Sequence, residues 1–133
     1  MSVPKTILIV DGSPVMRRVV ERSLRLAGLE SGRVLEAADG TEALSVAGQN
    51  SLDLILTELN LAGVDGLEVL RQLRRSEATQ NVPVVIITSE AGESHVLEAL
   101  ALGAHGYIRK PFTSDQVKDY IAPLFGFLPT LAP

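Results

Sequence analysis

Three apolar runs along the chain are nearly continuous: ILIV at 7–10, LDLILT at 52–57 and VVIIT at 84–88. Two weaker ones accompany them, RVLEA at 33–37 and GYI at 106–108. Runs this short, without the alternation of a half-exposed strand, predict strands buried on both faces, as in a parallel sheet.

Between the runs the spacing becomes helical. SPVMRRVVERSLRLAG opens with Ser13 as a candidate N-cap and Pro14 at the first helical position. Val20, Leu24 and Ala27 follow helical spacing, and Gly28 is the expected stop. TEALSVAG (41–48) reads as a helix from a Thr41 cap to Gly48. VDGLEVLRQLRRS (64–76) places Leu67, Leu70 and Leu73 on one stripe, and GESHVLEALALGA (92–104) repeats the pattern with Leu97, Leu100 and Ala101. TSDQVKDYIAPLFG (113–126) puts Val117, Ile121 and Leu124 on one face, with Pro123 expected to end or kink it.

Strand and helix thus alternate through five repeats, which implies a doubly wound α/β domain. Right-handed crossovers and five strands suit a flavodoxin-like (βα)5 three-layer sandwich, its parallel five-stranded sheet ordered 2-1-3-4-5. With 133 residues, one domain over 1–125 is expected, followed by a short uncharged tail, GFLPTLAP, at 126–133. A hydrophobic content of 46% supports a real core, and only 4% aromatics makes that core aliphatic. The net charge of −4 argues against a general nucleic-acid binder, which would carry a basic face. Without cysteine there is no disulfide, thiolate metal site or thiol nucleophile. The N-terminal apolar run is four residues long, too short for a signal segment or a membrane span, so a soluble cytoplasmic protein is expected.

Open α/β sheets bind ligands beyond the carboxyl ends of their strands. Those ends are Asp11, Glu58, Thr88 and Lys110, after strands 1, 3, 4 and 5, which the order 2-1-3-4-5 makes neighbours. Taken singly, Asp11 beside Gly12 is a turn residue, Glu58 a solvated loop carboxylate, Thr88 a strand-end hydroxyl and Lys110 a surface lysine. Taken together, two carboxylates, a hydroxyl and an ammonium suit a divalent cation and a phosphoryl group.

In that order and spacing, ILIVDGSPVMRRVV, DLILTELNLAGVDGLEVLRQLR, VPVVIITSE and ALGAHGYIRKPF resemble the receiver domains of two-component response regulators, over roughly residues 5 to 122. The closest likeness is to stand-alone receivers of the chemotaxis type. The resemblance implies a phosphoacceptor position at Glu58, an acidic pocket at Asp11, and switch residues at Thr88 and Tyr107. It implies a phosphate-contacting Lys110, with a Lys–Pro bond that is commonly cis in the family. A Mg²⁺ site would use Asp11, Glu58 and the Asn60 carbonyl. Asp65 and Gly66 fit the pattern, whereas Leu61 and Ala62 stand where Met and Pro are common.

Two departures touch the chemistry. The family's acceptor is Asp, and this chain has Glu58, longer by one methylene, about 1.5 Å. The family's second pocket acid is Gly12 here. An error of about 1 Å in a nucleophile's position can cost roughly 100-fold, and a lost carboxylate weakens attraction for a divalent ion. The expectation is therefore an atypical receiver, phosphorylated poorly or not at all, with Mg²⁺ binding weakened. Glu58 would offer about one negative charge where a phosphoryl offers about two. A receiver still phosphorylated weakly is the alternative. So is a haloacid-dehalogenase-like phosphatase, although Ser13 stands where that chemistry needs a second acid. A nucleotide-binding flavodoxin-like domain lacks its glycine-rich loop, since Gly12 stands alone.

The partners implied are a histidine kinase, a phosphotransfer protein or another signalling protein. They would dock on the first helix, where Arg18, Arg22 and Arg25 share a face, and on the face of helix 4, strand 5 and helix 5. No nucleic acid or membrane partner and no enzymatic activity are expected. His95 and His105 read as partly exposed structural residues.

Overall fold

The computed structural model describes residues 5–29, 32–89 and 93–125. Its elements are β1 (Thr6–Val10), α1 (Pro14–Leu26), β2 (Arg33–Ala37), α2 (Gly40–Gln49), β3 (Leu54–Thr57), α3 (Gly66–Arg75), β4 (Val84–Thr88), α4 (Glu93–Ala101), β5 (Gly106–Arg109) and α5 (Ser114–Ile121), with a 3-10 turn at Ala122–Phe125. All strand pairs are parallel, in the order β2-β1-β3-β4-β5. This is the flavodoxin-like arrangement the alternation predicts. The tail at 126–133 lies outside the described residues.

Because side chains alternate across a strand, each apolar run serves two cores. Leu8, Val10, Ile55, Val84 and Ile86 face α2 and α3, where they meet Ala43, Ala47, Val69, Leu70 and Leu73. Ile7, Ile9, Leu54, Leu56, Val85, Ile87 and Ile108 face α1 and α5, against Val20, Leu24, Val117 and Ile121. β1, β3 and β4 are buried on both sides, hence their continuous apolar runs, whereas the edge strands β2 and β5 are partly exposed.

Several helix limits differ from the periodicity. α2 begins after Asp39, whose carboxylate accepts from the Glu42 N–H at 2.8 Å while the Glu42 carboxylate accepts from the Ala38 N–H at 2.6 Å. That reciprocal capping outcompetes Thr41. The helix then runs through Gly48, and the Asn50 amide donates to the Val46 carbonyl at 2.8 Å. The predicted cap Ser13 and stop Gly28 (φ +77°) hold for α1. Thr113 caps α5 with a full capping box, and the helix gives way to the 3-10 turn just before Pro123.

The largest correction concerns α4. Its stripe of Leu97, Leu100 and Ala101 points outward, with Leu97 63% exposed. The buried face is Val96 and Ala99. Both faces of this helix are apolar, so the pattern alone does not choose between them; the smaller side chains lie against the domain.

Past β3 the chain doubles back, and Gly66 donates its N–H to the Leu59 carbonyl at 2.9 Å. A Cβ on Gly66 would fall 2.6 Å from the Glu58 carbonyl oxygen and 2.7 Å from the Leu59 Cα. Gly48, inside α2, has nothing within 4 Å of the same position. One chemical change should therefore have opposite signs at the two glycines. Gly66→Ala is expected to destabilise by about 1–3 kcal/mol, and Gly48→Ala to stabilise by roughly 0.5–1 kcal/mol. Urea unfolding of both variants checks this; equal effects would contradict the close approach at Gly66.

Candidate functional site

Three of the four strand-end residues are fixed through the backbone to a neighbouring strand. The Asp11 N–H donates to the Ala37 carbonyl at 3.1 Å, that of Glu58 to Val10 at 3.0 Å, and that of Lys110 to Thr88 at 2.9 Å. Thr88, the last residue of β4, is fully buried. The sheet thus delivers all four side chains to one crevice.

There they form a single hydrogen-bonded cluster. The Lys110 ammonium sits between the two acids, 2.7 Å from Asp11 Oδ2 and 2.8 Å from Glu58 Oε1. The other Glu58 oxygen accepts from the Leu59 N–H at 2.7 Å, the Asn60 N–H at 3.2 Å and the Thr88 hydroxyl. Asp11 Oδ1 accepts from the Ser13 N–H at 2.9 Å. Asp11 and Glu58 are both buried.

Burial opposes ionisation of Glu58, but hydrogen bonds from Lys110, Thr88 and the Asn60 N–H, with the ammonium charge, outweigh it and hold the carboxyl below its ordinary range. Burial likewise disfavours the Lys110 charge, and its bonds to Asp11 and Glu58 overcome this, so the ammonium titrates above its ordinary range. Two carboxylates and one ammonium leave the cluster at −1.

The donor set bears directly on a metal. Every carboxylate oxygen of Asp11 and Glu58 already accepts a hydrogen bond, and the pocket's cation is Lys110. Among the described residues no group of three His, Asp or Glu could hold a metal ion. A divalent cation at Asp11 and Glu58 would compete with the Lys110 ammonium for the same carboxylate oxygens. A side chain at position 12 would fit: a Cβ on Gly12 meets only the Ala38 carbonyl oxygen, at 3.7 Å.

Of the other residues the sequence singled out, Asn60 is exposed and meets the pocket through its backbone N–H. Tyr107 is 41% exposed on the edge strand β5. The Lys110–Pro111 peptide is cis. Ser13 caps α1, its hydroxyl accepting from the Met16 N–H at 3.1 Å. His95 and His105 are exposed, and the Val84 N–H donates to His105 Nδ1 at 3.4 Å. Sequence reasoning missed the Leu59 and Asn60 N–H groups and Arg17, whose guanidinium reaches the Asp11 carbonyl. Arg17 carried a signal in hindsight: it follows the Ser13 cap by one helical turn, close enough to reach back.

A parallel sheet of this order, with acids, hydroxyl and ammonium converging at its carboxyl edge, defines a narrow class. A family model described as the response regulator receiver domain matches residues 7–122. The chain is 37% identical over 119 residues to the chemotaxis protein CheY of Pseudomonas aeruginosa, covering 90% of this chain and 94% of that one. Among solved structures, CheY4 of Vibrio cholerae superposes with a TM-score of 0.80 at 30% identity, covering 92% of this chain and 99% of that one. The receiver domain of a Pseudomonas aeruginosa sensor histidine kinase, solved with a magnesium ion coordinated in its active site cleft, gives a TM-score of 0.80 at 29% identity, with coverage of 93% and 99%.

The chain belongs to the response regulator receiver domain family. It is a CheY-like receiver of two-component signalling, a class that acts through histidine kinases and other signalling proteins. No helix among the described residues is long and apolar enough to cross a membrane.

The charge pair sets an expected pH dependence. Glu58 is depressed in the fold, so its contribution is full above the unfolded value, about 4.3, and is lost as pH falls through the folded value. Lys110 is raised, so its contribution is full below about 10.4 and is lost as pH rises through the folded value. Between about pH 5 and 9 the pair's contribution should be flat. Urea midpoints measured at about pH 6 and 3.5 should drop less in Glu58→Gln than in the unaltered chain; an equal drop would contradict the assignment.

Proposed function

We propose that the protein is an atypical receiver that signals by protein contact, with Glu58 standing permanently where a receiver would carry its phosphoacceptor. The observation that carries this reading is the engagement of both Glu58 carboxylate oxygens, one by Lys110 and the other by Thr88 and two backbone N–H groups. A nucleophile must offer a lone pair along the line of attack. Here both oxygens are engaged, and the extra methylene lets the carboxylate fold back onto its own backbone. Phosphorylation is impaired for that reason, and Mg²⁺ binding is weakened because Gly12 supplies no acid and Lys110 already pairs with both acids of the pocket. The protein is then a cytoplasmic signalling module and not an enzyme.

Within this reading Lys110 and Thr88 hold a standing carboxylate in place of a phosphoryl group. Thr88 is drawn to the acid while Tyr107 stays half-exposed, so the two switch positions are not both turned inward. Two faces suit partners. On α4, β5 and α5, Leu97, Leu100, Tyr107 and Tyr120 are exposed. On α1, Val15, Val19 and Leu26 are exposed beside Arg18, Arg22 and Arg25, a basic face on an acidic protein that fits a kinase or phosphotransfer helix bearing acids.

Incorporation of phosphate from acetyl phosphate with Mg²⁺ tests the proposal, comparing the unaltered chain with Glu58→Asp and Glu58→Asp/Gly12→Asp. The unaltered chain is expected to react at least about 100-fold more slowly than the double variant. Equal rates would overturn the reading.

A further inference from the structure

The acids and ammonium of the pocket continue outward into a second pair. Arg17, in the first turn and a half of α1, lies with its side chain only 15% exposed. Its Nη1 donates to the Asp11 backbone carbonyl at 2.6 Å and its Nε to Glu36 Oε1 at 2.7 Å. Glu36 belongs to the edge strand β2, opposite Ile9 of β1. Charges therefore alternate along the carboxyl edge of the sheet: Glu36, Arg17, Asp11, Lys110, Glu58, ending on the Thr88 hydroxyl.

The link at Asp11 is the informative one. Asp11 is followed by Gly12, the residue least able to hold a loop by its own preferences. Its carbonyl lies beyond β1 and is gripped from the helix, while its carboxylate is held by Lys110 and by the Ser13 N–H. A planar guanidinium anchored at Nε by Glu36 presents its Nη1 to the Asp11 carbonyl in a fixed direction, which an ammonium on a flexible stem does not. From the Glu36–Arg17–Asp11 geometry we infer that Arg17 is a positioning residue of the pocket: braced by Glu36, it holds the Asp11 peptide so that the Asp11 carboxylate stays on Lys110. This holds whether or not Glu58 accepts a phosphoryl group, so its failure and the failure of the functional reading are separable.

The test reads Lys110 directly. In protein labelled with ¹⁵N at the lysine side chains, ammonium protons held by two carboxylates exchange slowly with water. Arg17→Met is expected to speed that exchange about five-fold or more, the equivalent of roughly 1 kcal/mol. Arg17→Lys should restore only part of the protection, because it keeps the charge and loses the fork. Arg18→Met, an exposed neighbour on the same helix, should leave it unchanged. If Arg17→Met fails to fold, Glu36→Gln serves instead, since it keeps an acceptor for Arg17 and removes only the charge; a smaller increase in the same direction is expected. Lys110 exchange that stays at the wild-type rate in the folded Arg17 or Glu36 variant would overturn the inference. So would full protection in Arg17→Lys, which would leave charge alone as the cause.

Discussion

The ammonium of Lys110 is the constraint on which the carboxyl edge of this sheet depends. A parallel five-stranded sheet brings Asp11 and Glu58 side by side on β1 and β3, the two strands flanking the switch point in chain order. Two buried carboxylates cannot both stay ionised without a compensating cation. Lys110, carried in from β5, supplies it at 2.7 and 2.8 Å. Removing it would leave like charges facing each other in a crevice closed by Thr88, and removal of one partner from a buried pair typically costs about 3–5 kcal/mol.

The difference between Glu and Asp takes on structural meaning in this setting. With one more methylene, the Glu58 carboxylate reaches its own following N–H groups at Leu59 and Asn60 while still meeting Lys110 and Thr88. The result is a satisfied, low-lying anion. Gly12 fits the same account, because a pocket whose single ammonium already serves two carboxylates would hold a third acid less easily. The β3–α3 loop keeps this arrangement compact through Gly66, whose missing side chain lets the loop lie against Glu58 and Leu59.

Much of this was legible in the sequence, and the physical reason is burial. Apolar runs closed on both faces locate strands β1, β3 and β4 to within a residue or two, and with them the residues at their ends. The helix cap at Ser13, a single strong candidate before Pro14, was equally clear. Where two candidates compete, local pattern fails: Asp39 took the cap from Thr41 because Glu42 could answer it. α4 was misread because leucines on one side and Val96 with Ala99 on the other give both faces an apolar stripe. The fold-back of Glu58 was not legible, and the reach of Arg17 only by its spacing from the Ser13 cap, since both depend on side-chain conformations that periodicity does not specify.

The coupling between Glu58 and Lys110 tests the account most directly. A double-mutant cycle with Glu58→Gln and Lys110→Met, read as unfolding free energy at about pH 7, isolates the pair. A coupling of at least about 1.5 kcal/mol is predicted. Additive effects would show that the ammonium does not hold the acid, and would contradict the account.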